Sequence, residues 1–214
     1  MAQRQVFIVK KWNPYYRMYT LQFDFNSGFQ ENIAALHDEF SKTAIGRNGA
    51  KIAEISSKSS NPEAVKLSPR NLMKYIPSLE KSVPFECAYQ ASKVFSRGGP
   101  FLDLLEVSPK DIKKDKRLDK SGKLIAFEFE GVQYPLEPKT AFYDWLYANA
   151  CLENPEVSNY ILDYDAFTDI AFIPKNGMAT QARSCAIYVS LHRLGLIDKI
   201  KDFEEFKKLY YNSF

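Results

Sequence analysis

The chain has 214 residues, of which 45% are hydrophobic and 14% aromatic, enough for one globular domain with a real core and a small appended element. Its formal net charge of +3 is too weak to imply nucleic-acid binding by itself, although it permits it. No stretch approaches the roughly 18 consecutive apolar residues of a membrane span, so a disordered, fibrous or membrane-spanning chain is not expected.

In chain order, VFIVK (6–10) and YYRMYTLQFDF (15–25) are aromatic and β-branched with alternating polarity, and they predict a strand pair across KWNP. A helix is predicted over 29–44, with Ile33, Leu36 and Phe40 on one face and Gly46 to Gly49 ending it. KIAEI (51–55) reads as a short strand leading into SSKSSNPEAVKLSPRNL (56–72), a polar loop whose length favours a functional role over a passive connection. The next segment, PFECAYQASKVFSRGGPF (84–101), predicts a helix from Pro84 with Gly98-Gly99-Pro100 as its stop. Further helical turns are expected over 100–107 and 108–118, the latter with Ser108 as N-cap and Pro109 at N1. A hairpin follows over 123–136, turning near Gly131, and helices over 140–154, 155–164, 180–197 and 203–211 complete the chain. This order is α+β, richer in helix than strand and without βαβ alternation.

Cys87, Cys151 and Cys185 lie far apart in apolar stretches, which suggests neither a disulfide framework nor a zinc spacing and suits a reducing, cytoplasmic setting. His37 and His192 lack a second ligand at metal spacing, so neither a metal nor a cofactor is expected. Phosphate-binding glycine loops and the serine-hydrolase elbow are missing from the sequence, and the N-terminus lacks a signal-peptide layout.

The helix at 84–101 is unusual in its polar stripe. At the spacing where an amphipathic helix shows apolar residues, it carries Glu86, Tyr89, Gln90 and Lys93, flanked by apolar or small side chains. Glu86 has an ordinary explanation as a carboxylate in a first turn, and Lys93 as a surface lysine near the helix end. Together they fit a ligand-facing wall better, because the two charges lie about 10.5 Å apart along a helix axis and buried charges need partners. In the loop that precedes it, Ser57, Lys58, Ser68, Arg70 and Asn71 offer donors suited to phosphate or sugar oxygens, or form a plain polar turn. The segment 110–123 holds seven Lys and Arg against three Asp, either a solvated face or a phosphate-contacting surface that includes Lys113 and Arg117. In FYDWLYANAC (142–151), Asp144 is an isolated carboxylate and Trp145 is either core or a stacking platform for a base.

These blocks resemble a known family. The order SSKS–NP–LS..NL, then FE.AYQ.SKVF..GGPF.DL, then KKDKRL..SGKLI.FEFEG..YPLEPKTAFYDWLY, then YDAFTDI and SLHR.GL is similar to the NADAR (YbiA-like) N-glycosidases. Within them it resembles most the antitoxins paired with DarT toxins, often called DarG-type. The likeness runs from about residue 50 to 197, so residues 50–214 are expected to form the NADAR domain and residues 1–49 an N-terminal extension, a strand pair plus helix, packed on it. The family's Glu-His-(Ala/Tyr)-(Tyr/Phe)-Gln-Ala-x-Lys element matches Glu86 to Lys93, with Cys87 where the histidine usually stands.

The resemblance implies hydrolysis of ADP-ribose linked to guanine in single-stranded DNA, with ADP-ribose as product and a DarT-type toxin as counterpart. The protein would serve as a bacterial antitoxin or as a phage anti-defence factor. Breaking a ribose C1–nitrogen bond builds positive charge at C1 and negative charge on the base, so it needs a carboxylate near C1 and a proton donor near the base. Glu86 is the candidate for the first role. Lys58 or Lys93 is a candidate amine to trap ring-opened C1 as an imine, Lys58 being preferred for attack and Lys93 for binding. Ser57, Ser68, Arg70, Asn71, Tyr89, Gln90, Lys113, Arg117, Asp144 and Trp145 are the candidate substrate contacts. Alternative functions are N-glycosidase action on a small ribosylamino-pyrimidine, or a non-catalytic module that binds ADP-ribosylated DNA or the toxin.

Overall fold

The computed structural model describes residues 1–11, 15–112, 114–172 and 180–211. Its strands are Ala2–Val9 (β1), Tyr16–Phe23 (β2), Ile52–Glu54 (β3), Met73–Ile76 (β4), Lys81–Pro84 (β5), Lys93–Phe95 (β6), Leu124–Phe129 (β7), Val132–Tyr134 (β8) and Ala166–Thr168 (β9). The helices are Phe29–Ser41 (α1), Ala44–Arg47 (α2), Pro62–Lys66 (α3), Phe85–Ala91 (α4), Pro109–Ile112 (α5), Arg117–Lys120 (α6), Ala141–Glu153 (α7), Pro155–Ser158 (α8), Gln181–Arg193 (α9) and Phe203–Tyr211 (α10). This is the mixed, mainly helical α+β architecture expected from the sequence.

A four-stranded sheet in the order β2-β1-β9-β3 ties residues 2–23 to residues 52–54 and 166–168. β1 pairs antiparallel with both β2 and β9, and β9 pairs parallel with β3. The strand alternation sends successive side chains to opposite faces. Val6, Ile8 and Ala166 pack with Ile33, Leu36 and Phe40 of α1 on one face, whereas Phe7, Phe167 and Ala53 join the main core on the other. The strand pair and helix expected for residues 1–49 are β1, β2 and α1, and they share a hydrogen-bonded sheet with the rest of the chain.

The main core is built around α7 and α9. Ten of the thirteen residues of α7 and eleven of the thirteen of α9 are buried, so both helices are enclosed on nearly every side. Phe85, Phe127, Phe142, Tyr143 and Tyr147 interlock there through edge-to-face and stacked contacts. Smaller sheets, β4-β5 and β6-β7-β8, cover this core. The β7-β8 hairpin turns at Glu130 and Gly131, both with positive φ (51° and 74°), at the place the sequence predicts.

Three local expectations are corrected. The predicted helix beyond Pro84 ends at Ala91: the Ser92 hydroxyl donates to the Ala88 carbonyl, and Lys93-Val94-Phe95 then pair with β7 as a strand. The polar stretch 56–72 contains α3, whose first turn is capped by the Asn61 side chain with Pro62 at N1. The link between the helices at 155–164 and 180–197 holds β9, three buried residues that the sequence analysis passes over. KWNP falls partly outside the described residues, as do Ile173 to Ala179.

Candidate active site

A cavity of about 520 Å³ opens between α4, the loop before it and the segment after β9. Ser56, Ser57 and Lys58 line one side, Ser68, Pro69 and Arg70 a second, and Glu86, Tyr89 and Gln90 of α4 a third. Tyr143, Asp169, Ala171, Phe172 and Gln181 complete the wall. The helical spacing i, i+3, i+4 puts Glu86, Tyr89 and Gln90 on the cavity side, and the Gln90 amide donates to the Glu86 carboxylate at 3.0 Å.

Backbone contacts hold these walls in register. The first N–H groups of α4, which have no partner within the helix, donate to the preceding loop: Phe85 to Leu72 at 2.8 Å and Glu86 to Pro69 at 2.7 Å. The Tyr147 hydroxyl donates to the Leu67 carbonyl at 2.6 Å, anchoring the same loop to α7. On the opposite side, Gln181 donates from its amide to the Ile55 carbonyl at 2.8 Å, and Gln30 of α1 to the Lys58 carbonyl at 2.7 Å. Ser68 is 2% exposed, yet its hydroxyl has no hydrogen-bond partner among the described residues. A buried hydroxyl without a protein partner is costly, and a polar group entering the cavity beside Ser68 would satisfy it.

Of the residues singled out in the sequence, the structure brings Ser57, Lys58, Ser68, Arg70, Glu86, Tyr89 and Gln90 together on one cavity. Lys58 sits at the rim, exposed, with its ammonium 4.7 Å from the centre of the Phe29 ring. The others need correction. Lys93 belongs to β6 instead of the α4 stripe, and its ammonium lies 5.0 Å from the centre of the Tyr89 ring. Burial lowers its pKa, against the opposing attraction of Glu86 and Asp119. The Asn71 amide donates to the Val65 carbonyl at 2.9 Å and so braces the loop. Arg117 is held by Asp103 and Asp115, both at 2.6 Å, and lies over the Phe101 ring. Lys114 pairs with Asp111, so this basic segment meets its own acids, and Lys113 lies outside the described residues.

Asp144 and Trp145 are core residues. Asp144 is fully buried, paired with Arg183 at 2.8 Å and accepting from the Ser184 hydroxyl at 2.5 Å. The Trp145 indole N–H donates to the Ile200 carbonyl at 2.9 Å, and its ring packs on Tyr134 and Phe203. Cys87 is buried with its thiol against the Val107 carbonyl, and burial pushes its pKa up to about 11.

The sequence analysis missed Asp169 and the residues that support it. Asp169 is 6% exposed and accepts from the Ala171 amide and the Thr180 hydroxyl, both at 3.1 Å. Burial first, then repulsion from Glu54, pushes its pKa up to about 7. Glu54 is itself buried, with its pKa raised by that burial, but its charge receives hydrogen bonds from Thr168 at 2.6 Å and from the Ile170 amide at 2.8 Å. The available signal was a lone carboxylate inside the apolar run AFTDIAF. Among the described residues, no group of three or more His, Cys, Asp or Glu is arranged to hold a metal, and no helix is long and apolar enough to cross a membrane.

A polar cavity with a hydrogen-bonded carboxylate on one wall, exposed cations at the rim and a buried carboxyl group whose pKa is pushed up to about 7 is suited to cleaving a bond at a sugar carbon. Compared with known families, residues 2–214 match the model described as DarT1-associated NADAR antitoxin. A search of curated proteins returns no match to the chain.

Proposed function

Because the chain belongs to the family of DarT1-associated NADAR antitoxins, we propose that it is an N-glycosidase that frees guanine bases of single-stranded DNA from ADP-ribose. It would thereby reverse the modification made by a DarT-type toxin, the counterpart that membership in this antitoxin family implies. The observation that carries this reading is Glu86, half-buried, braced by Gln90 and turned into a cavity that also holds the unpartnered Ser68 hydroxyl.

In this reading Glu86 faces C1 of the ribose that bears the base and stabilises its growing positive charge or activates water. Arg70 at the rim meets the pyrophosphate, Ser57 and Ser68 the hydroxyls and phosphate oxygens, and Tyr89 offers a ring face. Lys58, in the cavity wall, is the amine positioned for attack on a ring-opened C1. Lys93, behind Tyr89, contributes positive charge near Glu86.

The test is incubation with single-stranded DNA carrying ADP-ribosylguanine, reading released ADP-ribose. Wild type is expected to release it, and Glu86→Gln to do so about 100-fold or more slowly, the usual contribution of a positioned acid-base group. Release by Glu86→Gln at the wild-type rate removes Glu86 from the chemistry. Turnover of a small ribosylamino-pyrimidine with the DNA left untouched overturns the assigned substrate. Borohydride added during turnover is expected to leave a mass adduct on Lys58, and a wild-type protein that turns over without any lysine adduct excludes the imine.

A further inference from the structure

Glu86 supplies one carboxylate, but the cavity holds a second carboxyl group that the scheme above leaves idle. Asp169 follows β9 directly, lines the cavity with Glu86 and is almost completely buried. Its oxygens accept from the Ala171 amide and the Thr180 hydroxyl and are approached by the Phe172 amide, and a carboxyl group with about four lone-pair sites still has room for a proton. Behind it, Glu54 bonds to both flanking residues, Thr168 and Ile170, so the two carboxyl groups share one buried corner. Buried carboxylates this close do not both ionise readily.

The pair is asymmetric. Three donors favour the charged form of each, the Ser56 and Thr168 hydroxyls and the Ile170 amide for Glu54 and the Thr180 hydroxyl and the Ala171 and Phe172 amides for Asp169, but Glu54 is attracted by Arg4 in addition. The Thr168 hydroxyl donates to Glu54, so it accepts from His37, whose Nε2 lies 2.9 Å away. With Glu54 ionised, this arrangement calls for the His37 tautomer that carries hydrogen on Nε2. The proton of the pair therefore rests on Asp169, the member that faces the cavity. Tyr143 and Cys185 also face this corner, and burial holds both in their neutral forms.

We propose that Asp169 is the general acid of the site, delivering its proton to the departing base nitrogen, and that Glu54 is a positioning residue that keeps this proton in place. The inference rests on the glycosidase reading above. The C1–nitrogen bond breaks with both electrons passing to the base nitrogen, which takes the proton of Asp169. Water adds its oxygen to C1 and gives a proton to Glu86, so ADP-ribose leaves with a hydroxyl at C1 and the base leaves neutral. Exchange with solvent returns one proton from Glu86 to Asp169. A base nitrogen needs this proton whether water or a lysine amine attacks C1.

The experiment measures ADP-ribose release from ADP-ribosylguanine single-stranded DNA between pH 5 and 9, with ADP-ribose affinity and melting temperature measured in parallel. Wild type is expected to lose activity as pH rises past about 7, where Asp169 gives up its proton. Asp169→Asn is expected to be slower by about 100-fold or more, to bind ADP-ribose within about threefold of wild type, and to lack this alkaline limb. Glu54→Gln removes the repulsion, so its alkaline limb moves to lower pH, a shift that a purely structural role does not produce. An Asp169→Asn protein that works at the wild-type rate overturns the inference alone, as does a Glu54→Gln limb that stays in place. If Asp169→Asn fails to fold, the Glu54→Gln limb decides. A wild-type protein that releases no ADP-ribose overturns the proposed function, and this inference with it.

Discussion

Ser68 makes a sharp single-residue test, because its hydroxyl is buried on the cavity wall without a partner. Deleting an unsatisfied buried donor removes a desolvation penalty, so Ser68→Ala is expected to melt at the wild-type temperature or slightly above. If the hydroxyl is reserved for the ligand, the same variant loses one hydrogen bond to it. That is worth about 0.5–1.5 kcal/mol, or roughly 2- to 12-fold weaker binding of ADP-ribose by calorimetry. A variant both less stable and unchanged in affinity would make Ser68 a structural residue. His37 offers a second test at this scale. Burial lowers its pKa to about 4, whereas the unfolded chain takes up that proton near 6.5. Its stability contribution is therefore complete above about pH 6.5 and is lost as pH falls through 4. His37→Gln retains a donor to Thr168 and is expected to flatten this acid-side fall in melting temperature.

Between elements, α7 and α9 are joined across the core by a buried ion pair as well as by apolar packing. Asp144 and Arg183 meet with both side chains almost wholly shielded, so removing one leaves the other charge stranded in the core. Asp144→Ala is expected to cost about 3–5 kcal/mol in denaturant unfolding, a loss of a different order from that of any exposed pair such as Lys114–Asp111. The sequence made the long helices and the hairpin at Gly131 legible, since each carries ten or more residues of consistent period or a two-residue turn signal. It showed α4 but not its end, because Lys93-Val94-Phe95 is neutral between helix and strand until β7 is there to pair with it. On the site side, the stripe and the serine-rich loop were legible as polar residues in unlikely company. Asp144 and Trp145 misled because a lone carboxylate and a lone indole look alike in sequence whether they face a ligand or an internal partner. Asp169 was hidden for the converse reason: what distinguishes it is Glu54, 115 residues away in sequence and adjacent only through the β3-β9 pairing.

For the molecule as a whole, two buried titrations act in opposite directions. Folded Asp169 keeps its proton up to about pH 7, while the unfolded residue loses it near its ordinary 3.8. Stability is thus lost as pH rises from about 4 through 7, the reverse of the His37 effect. Asp169→Asn is expected to remove this alkaline-side loss, visible as a flatter melting temperature across that range. Asp169 follows β9 and His37 of α1 bonds to Thr168 of β9, in the sheet where β1 lies between β2 and β9, with Val6 opposite Thr168 and Ile8 opposite Ala166. That pairing bears on biosynthesis. A ribosome releases residues 2–9 long before residues 166–168, so β1 must wait for β9 before its second edge is satisfied. The carboxyl pair is completed by the same event, so Glu54 and Asp169 come together only once β9 has been made.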